Sequence, residues 1–176
     1  ITSVGSTANK ITAVTIKDAS QNTVTTNYDI TVNNGTLTIY PREIILTITG
    51  SLVYGNTTPN YTYDFSNTDW DSIDSFKQTI IDSLDFSVLN ETNVVTNFAT
   101  LLTGEYEIIL NDNDTNYNIT LLNSKLTVTQ RDITITLNNA NKVYDAEELI
   151  GTGSITSGSL VNGDTLTITT QGITNV

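Results

Sequence analysis

The chain has 176 residues and a formal charge of −12, a balance that repels phosphate backbones and anionic headgroups and so argues against nucleic-acid and membrane partners. It contains no cysteine, histidine or methionine, which excludes disulfide scaffolds, thiol nucleophiles, histidine triads and His/Cys zinc sites and leaves little for extracellular oxidants to damage. No apolar run is long enough to span a bilayer, and Ile1-Thr2-Ser3-Val4 has no signal-peptide character, so an export signal is expected elsewhere in a longer protein.

Leu37 and Ile39 alternate with Thr after an Asn34-Gly35 turn, the pattern of a strand. Pro41 then removes a ladder donor, and the apolar parity shifts from odd to even at Ile44, Leu46 and Ile48. A one-step shift turns the buried face over, so one sheet is expected to end and another to begin at Pro41, Arg42 and Glu43. Between 69 and 84, Trp70, Ile73, Phe76, Ile80 and Leu84 recur at steps of three and four, the spacing of a short amphipathic helix. Asn67, Thr68 or Asp69 is expected to cap it, Asp71 and Asp74 to favour its positive end, and Trp70 and Phe76 to pack in the core.

Strands are expected at Tyr106–Leu110 and Tyr117–Leu122, on either side of Asn111-Asp112-Asn113-Asp114. Asp112 and Asp114 are candidate Ca²⁺ ligands, although the segment lacks the glycine and terminal glutamate of an EF-hand loop; a solvated hairpin turn is the competing reading. No other cofactor is expected. Leu126 and Val128 precede a second parity switch at Arg131 and Asp132, after which Ile133, Ile135 and Leu137 resume the alternation. Arg42 and Arg131, the only arginines, are expected to brace these junctions by pairing with acidic neighbours, and Tyr54 and Tyr144 to act as packing anchors. A turn is expected at Asn162-Gly163.

These elements repeat. Thr26-Asn27-Tyr28-Asp29-Ile30-Thr31 is echoed by Thr115-Asn116-Tyr117-Asn118-Ile119-Thr120, and Leu37-Thr38-Ile39 by Leu126-Thr127-Val128. Tyr28 and Tyr117, like Arg42 and Arg131, stand 89 residues apart. With one inserted residue the match continues from Val53-Tyr54-Gly55 to Val143-Tyr144-Asp145. Self-similarity at a fixed, domain-sized period marks a tandem array. The tail Ile173-Thr174-Asn175-Val176 also resembles the head, and residues 131–172 joined to 1–41 make a domain of 83 residues beside the 89 of 42–130. The expected organisation is therefore a permuted, 172-residue two-domain repeat: 1–41 closes one domain, 42–130 is complete, and 131–176 begins the next.

Val53-Tyr54-Gly55-Asn56, Pro59, Gly104-Glu105-Tyr106, Asn116-Tyr117 and Leu126-Thr127-Val128 resemble the bacterial MBG domain of YGX type. Lys142-Val143-Tyr144-Asp145, Asn162-Gly163-Asp164, Asn27-Tyr28 and Asn34-Gly35-Thr36-Leu37-Thr38-Ile39 are similar to the YDG domain of the same surface proteins, with Ala146 standing where that motif has glycine. The resemblance implies large multi-repeat bacterial surface or secreted proteins, often adhesins, and no catalytic residues.

The expected fold is all-β, tandem immunoglobulin-like β-sandwiches with a short helix in the middle domain; a β-grasp-like α+β arrangement is the alternative for that domain. The expected role is a structural, non-enzymatic repeat of an extracellular bacterial surface fibre or adhesin stalk, with neighbouring repeats as partners. The alternative is an adhesive module that binds a glycan or protein on another surface.

Overall fold

The computed structural model describes residues 2–66, 74–112 and 115–171, leaving aside the side chains of Asp74, Ser75 and Asp112. The fold is mostly β. Eleven strands are described: β1 Gly5–Asn9, β2 Gly35–Ile39, β3 Arg42–Val53, β4 Asn60–Phe65, β5 Asp85–Asn90, β6 Asn93–Val94, β7 Gly104–Asp112, β8 Tyr117–Leu121, β9 Lys125–Thr129, β10 Thr134–Leu137 and β11 Gly153–Ser157. Among the described residues there is one α-helix, α1, at Asp74–Ser83, besides two single-turn 3-10 helices at Thr25–Asn27 and Phe98–Thr100. Among the described residues no helix is long and apolar enough to cross a membrane.

Residues 42–129 supply one seven-stranded sheet in the order β4-β3-β9-β7-β5-β6, with β8 paired to β3. The sandwich expectation called for two antiparallel sheets here. The strands instead join one mixed sheet whose centre is the parallel pair β3·β9, from Thr49 opposite Lys125 to Val53 opposite Thr129. β3 explains its own place in the middle. Along it Ile44, Leu46, Ile48 and Leu52 are buried at every second or fourth position, the period a pleated strand needs to present one face to a core. Leu126 and Val128 of β9 are buried in the same alternation, and Val88, Leu101, Ile108 and Ile119 are buried as well. At the pleat between β3 and β9 Ser124 is buried, and its Oγ accepts the Ile48 amide at 2.8 Å. β4 presents Tyr61, Tyr63 and Phe65 half-buried in alternation, and Tyr61 meets Phe86 edge-on at 5.0 Å.

The helix is present but shorter in its described part than the periodicity suggested. Trp70, Ile73, the proposed caps and Asp71 lie outside the described residues. Ile80 is buried, whereas Phe76 is exposed, so the expected packing role of Phe76 does not hold. Gln78 donates to Asp82 one turn on, at 2.7 Å, along the wet face.

The sheet changes on either side of this segment. β1 and β2 form a two-stranded antiparallel sheet, and so do β10 and β11. Tyr40 and Pro41 separate β2 from β3, and residues 130–133 separate β9 from β10. The two copies of the Thr-Asn-Tyr motif take different forms: Tyr117–Leu121 is β8, while the segment that follows Tyr28 has no regular structure. β7 runs through Asn111 and Asp112, β8 pairs with β3, and Asn113 and Asp114, with the turn expected there, lie outside the described residues.

By compactness the chain divides into two units. One comprises Ile1–Ile45, Ser66–Leu84 and Asp112–Thr120, and holds β1, β2 and α1; the other comprises Leu46–Phe65, Asp85–Asn111 and Leu121–Val176.

Candidate functional site

The second unit carries a cleft that is built around Arg131. β3 ends at Val53 because the chain turns: the Asn56 amide donates to the Val53 carbonyl at 2.9 Å, and Gly55 takes a φ of +80°, the value a type II turn demands at its third position. A methyl group on Gly55 would sit 2.2 Å from Cγ2 of Val161, so the site also requires glycine for space. The turn is tied to the end of β9 by the Tyr54 amide, which donates to the Thr129 carbonyl at 2.9 Å.

Two residues beyond, Arg131 reaches back over the turn. Its Nε donates to the Tyr54 carbonyl at 2.9 Å and its Nη2 to Asn56 Oδ1 at 2.7 Å. The fork geometry of guanidinium suits two such acceptors at once. The acidic partner expected for this arginine is thus replaced by neutral oxygens. The carboxylate goes to the tyrosine instead: the Tyr54 hydroxyl donates to Asp164 at 3.2 Å. That hydrogen bond to Asp164 raises the phenol's pKa above the usual tyrosine range, because losing the proton would place two anions together. Asp164 is positioned by the Asn162-Gly163 turn, where Gly163 has a φ of +99° and the Asp164 amide donates to the Val161 carbonyl at 3.0 Å. Around these groups lies a cleft of about 440 Å³, lined also by Thr103, Asp132, Ile133 and Leu160.

Arg42, the sequence counterpart of Arg131, opens β3 in the other unit. Its amide donates to the Asn116 carbonyl at 3.0 Å, and Asn116 Oδ1 accepts the Val4 amide at 3.1 Å. Glu43 holds Asn118 through both carboxylate oxygens, at 3.0 and 2.9 Å. Pro41 is exposed between the two strands. Tyr54 is half-buried as an anchor would be, but Tyr144 is exposed, so the expected packing role fails there. Ala146 adopts a φ of +66°, the left-handed conformation that the glycine of the resembled motif would take without strain.

Lys142 donates to Asp145 at 2.7 Å and to the carbonyls of Glu147 and Glu148. Asp145 also accepts the Glu147 amide, and the lysine first and then this amide hold its carboxyl below the usual range. Of the candidate calcium ligands, Asp114 and the side chain of Asp112 lie outside the described residues. Among the described residues no group of three or more His, Cys, Asp or Glu side chains is gathered to hold a metal.

The sequence singled out Arg131 and Asp132 as junction residues and Asn56 and Asp164 as motif residues, but it did not bring Arg131 together with Asn56, Val161 and Asp164. The Asn-Gly turn pointed to the last of these, since it fixes where the next side chain leaves the chain. No family model, curated protein or solved structure matches the chain.

Proposed function

We propose that the chain is a structural, non-enzymatic repeat of a large extracellular bacterial surface fibre or adhesin stalk, akin to MBG and YDG surface-protein repeats. The observation that carries this reading is the duplication at 89 residues, in which Arg42 and Arg131 each precede a run of matching apolar alternation. The neutral hydrogen bonds of Arg131 to Tyr54 and Asn56 support a bracing role at the start of a module. A charge of −12 and the lack of oxidisable sulfur suit a long molecule held in solution outside a cell.

For the segment 42–130 we favour the β-grasp-like arrangement over the immunoglobulin-like sandwich. A hairpin β3–β4, a helix, and a last strand parallel to the first at the centre of the sheet all support it.

The test is negative-stain microscopy of intact source cells labelled with an antibody raised against this chain. Label along filaments that leave the cell surface is expected. Label confined to compact soluble particles would sink the reading.

A further inference from the structure

Each flanking segment repeats one strand pair of the middle sheet. In the middle sheet β7 pairs with β9 antiparallel: Gly104 lies opposite Val128, Glu105 opposite Thr127 and Tyr106 opposite Leu126. Shifted by the 89-residue offset, Val128, Thr127 and Leu126 become Ile39, Thr38 and Leu37. Those three lie opposite Gly5, Ser6 and Thr7, in the same register and again with a positive-φ glycine at the strand start. The other pair repeats as well. Leu46, Thr47 and Ile48 of β3 lie opposite Phe65, Asp64 and Tyr63 of β4. Their counterparts Ile135, Thr136 and Leu137 lie opposite Ile155, Ser154 and Gly153 of β11. The join that ties these two pairs together in the middle sheet, the parallel pair β3·β9, has no counterpart among the described strand pairs.

We infer that residues 139–143 of one copy of this chain pair in parallel with residues 36–40 of a second copy, completing the fold head to tail. The middle sheet supplies the register. With the one inserted residue of the flank placed at Asn138, Thr49 opposite Lys125 maps to Asn139 opposite Thr36, and Val53 opposite Thr129 maps to Val143 opposite Tyr40. Surface exposure, which played no part in that mapping, falls on the same seam. Val143, Tyr144 and Tyr40 are the three most exposed large hydrophobic residues described, at 88%, 83% and 79%. β2 pairs only with β1 among the described strands, so its other edge is open to receive a strand. The contact is heterologous, because each copy offers one half and needs the other, so it propagates into an open chain of copies. It deepens the repeat reading above by naming the contact between successive repeats, yet it needs nothing from the cellular location.

The natural absence of cysteine allows a direct test. Thr36→Cys and Asn139→Cys chains are prepared separately, mixed, and oxidised under mild conditions. Each chain carries one thiol, so any disulfide joins two copies. The expected result is a mixed disulfide in about tenfold or greater excess over either homodisulfide, from a seam that buries apolar surface. Mass photometry of the unsubstituted chain at rising concentration is expected to show a ladder of oligomers. Leu37→Asp, placed on an exposed side chain, is expected to remove the ladder while leaving the unfolding transition of the middle sheet in place. A monomer at every concentration, or mixed and homodisulfides in statistical proportion, overturns the inference. Because these readouts report only contact between copies, their failure leaves the surface-fibre reading to be decided by microscopy on cells.

Discussion

Ile44, Leu46 and Ile48 of the middle segment and Ile133, Ile135 and Leu137 of the flank occupy equivalent positions 89 residues apart, in segments of the same alternation. The first three are 1%, 0% and 0% exposed and the second three 38%, 42% and 59%. Leu126 and Val128 stand in the same contrast to Leu37 and Ile39. An amphipathic pattern therefore states which face of a strand seeks cover, and the number of strands assembled around it decides whether cover is obtained. Seven strands make up the sheet of the first set, whereas each flanking strand has one partner among the described strands. A two-stranded ribbon has too little area to close a core, and such ribbons are marginally stable alone.

The sharpest way to break this contrast is a matched pair of truncations. Leu46→Ala should lower stability by about 2–5 kcal/mol, through lost transfer energy and a cavity. Ile135→Ala at the equivalent place should change the isolated chain by no more than about 0.5 kcal/mol. Urea unfolding monitored by Tyr and Trp fluorescence reads both, and comparable losses would mean that the flank has a core of its own.

The two turns after the paired tyrosines contrast in the same way. Gly55→Ala should cost about 1–3 kcal/mol, since the new methyl overlaps Val161 and the φ disfavours it. Ser124→Ala should cost a comparable 1–3 kcal/mol, roughly, by leaving the buried Ile48 amide without its acceptor. In the flank the sign reverses: Ala146→Gly should stabilise the 145–147 turn by about 1 kcal/mol or less, because glycine accepts a φ of +66° without penalty. Amide exchange at Glu147, slower in the variant, would register the gain.

The smallest effect concerns charge. The Asp145 carboxyl titrates below its ordinary value because Lys142 and the Glu147 amide favour the anion. Its contribution is present above the ordinary carboxylate pKa and fades as pH falls through the depressed one. Lys142→Gln should move the carboxyl upward in a ¹³C-detected titration, and an unmoved value would remove the lysine as the main cause.

Much of this was legible in the chain and some was not. The buried face of β3 and β9, and the sheet boundaries at Tyr40–Pro41 and after Gln130, follow from parity, because a strand's period of two is a local property. The helix was legible from its spacing, although Phe76 shows that spacing names a face without guaranteeing cover for every residue on it. The parallel union of β3 and β9, which are more than 70 residues apart, was not legible, since local periodicity carries no information on which distant strands meet. At the cleft, a lone arginine in an acidic chain suggested a carboxylate partner. Backbone and amide oxygens took that place because a turn brought them within reach of its fork.

The parallel pair at the centre of the middle sheet has a mechanical meaning. The chain enters the segment through β3 and leaves through β9, and the two strands point the same way side by side over five residue pairs. Tension applied from both ends draws these neighbours in opposite directions along their length, so the join is loaded in shear. Its slanted, evenly spaced bonds must yield together, whereas an antiparallel pair pulled from one end would open bond by bond. A module wired in this way transmits a pull through the middle of its sheet and spares its edges.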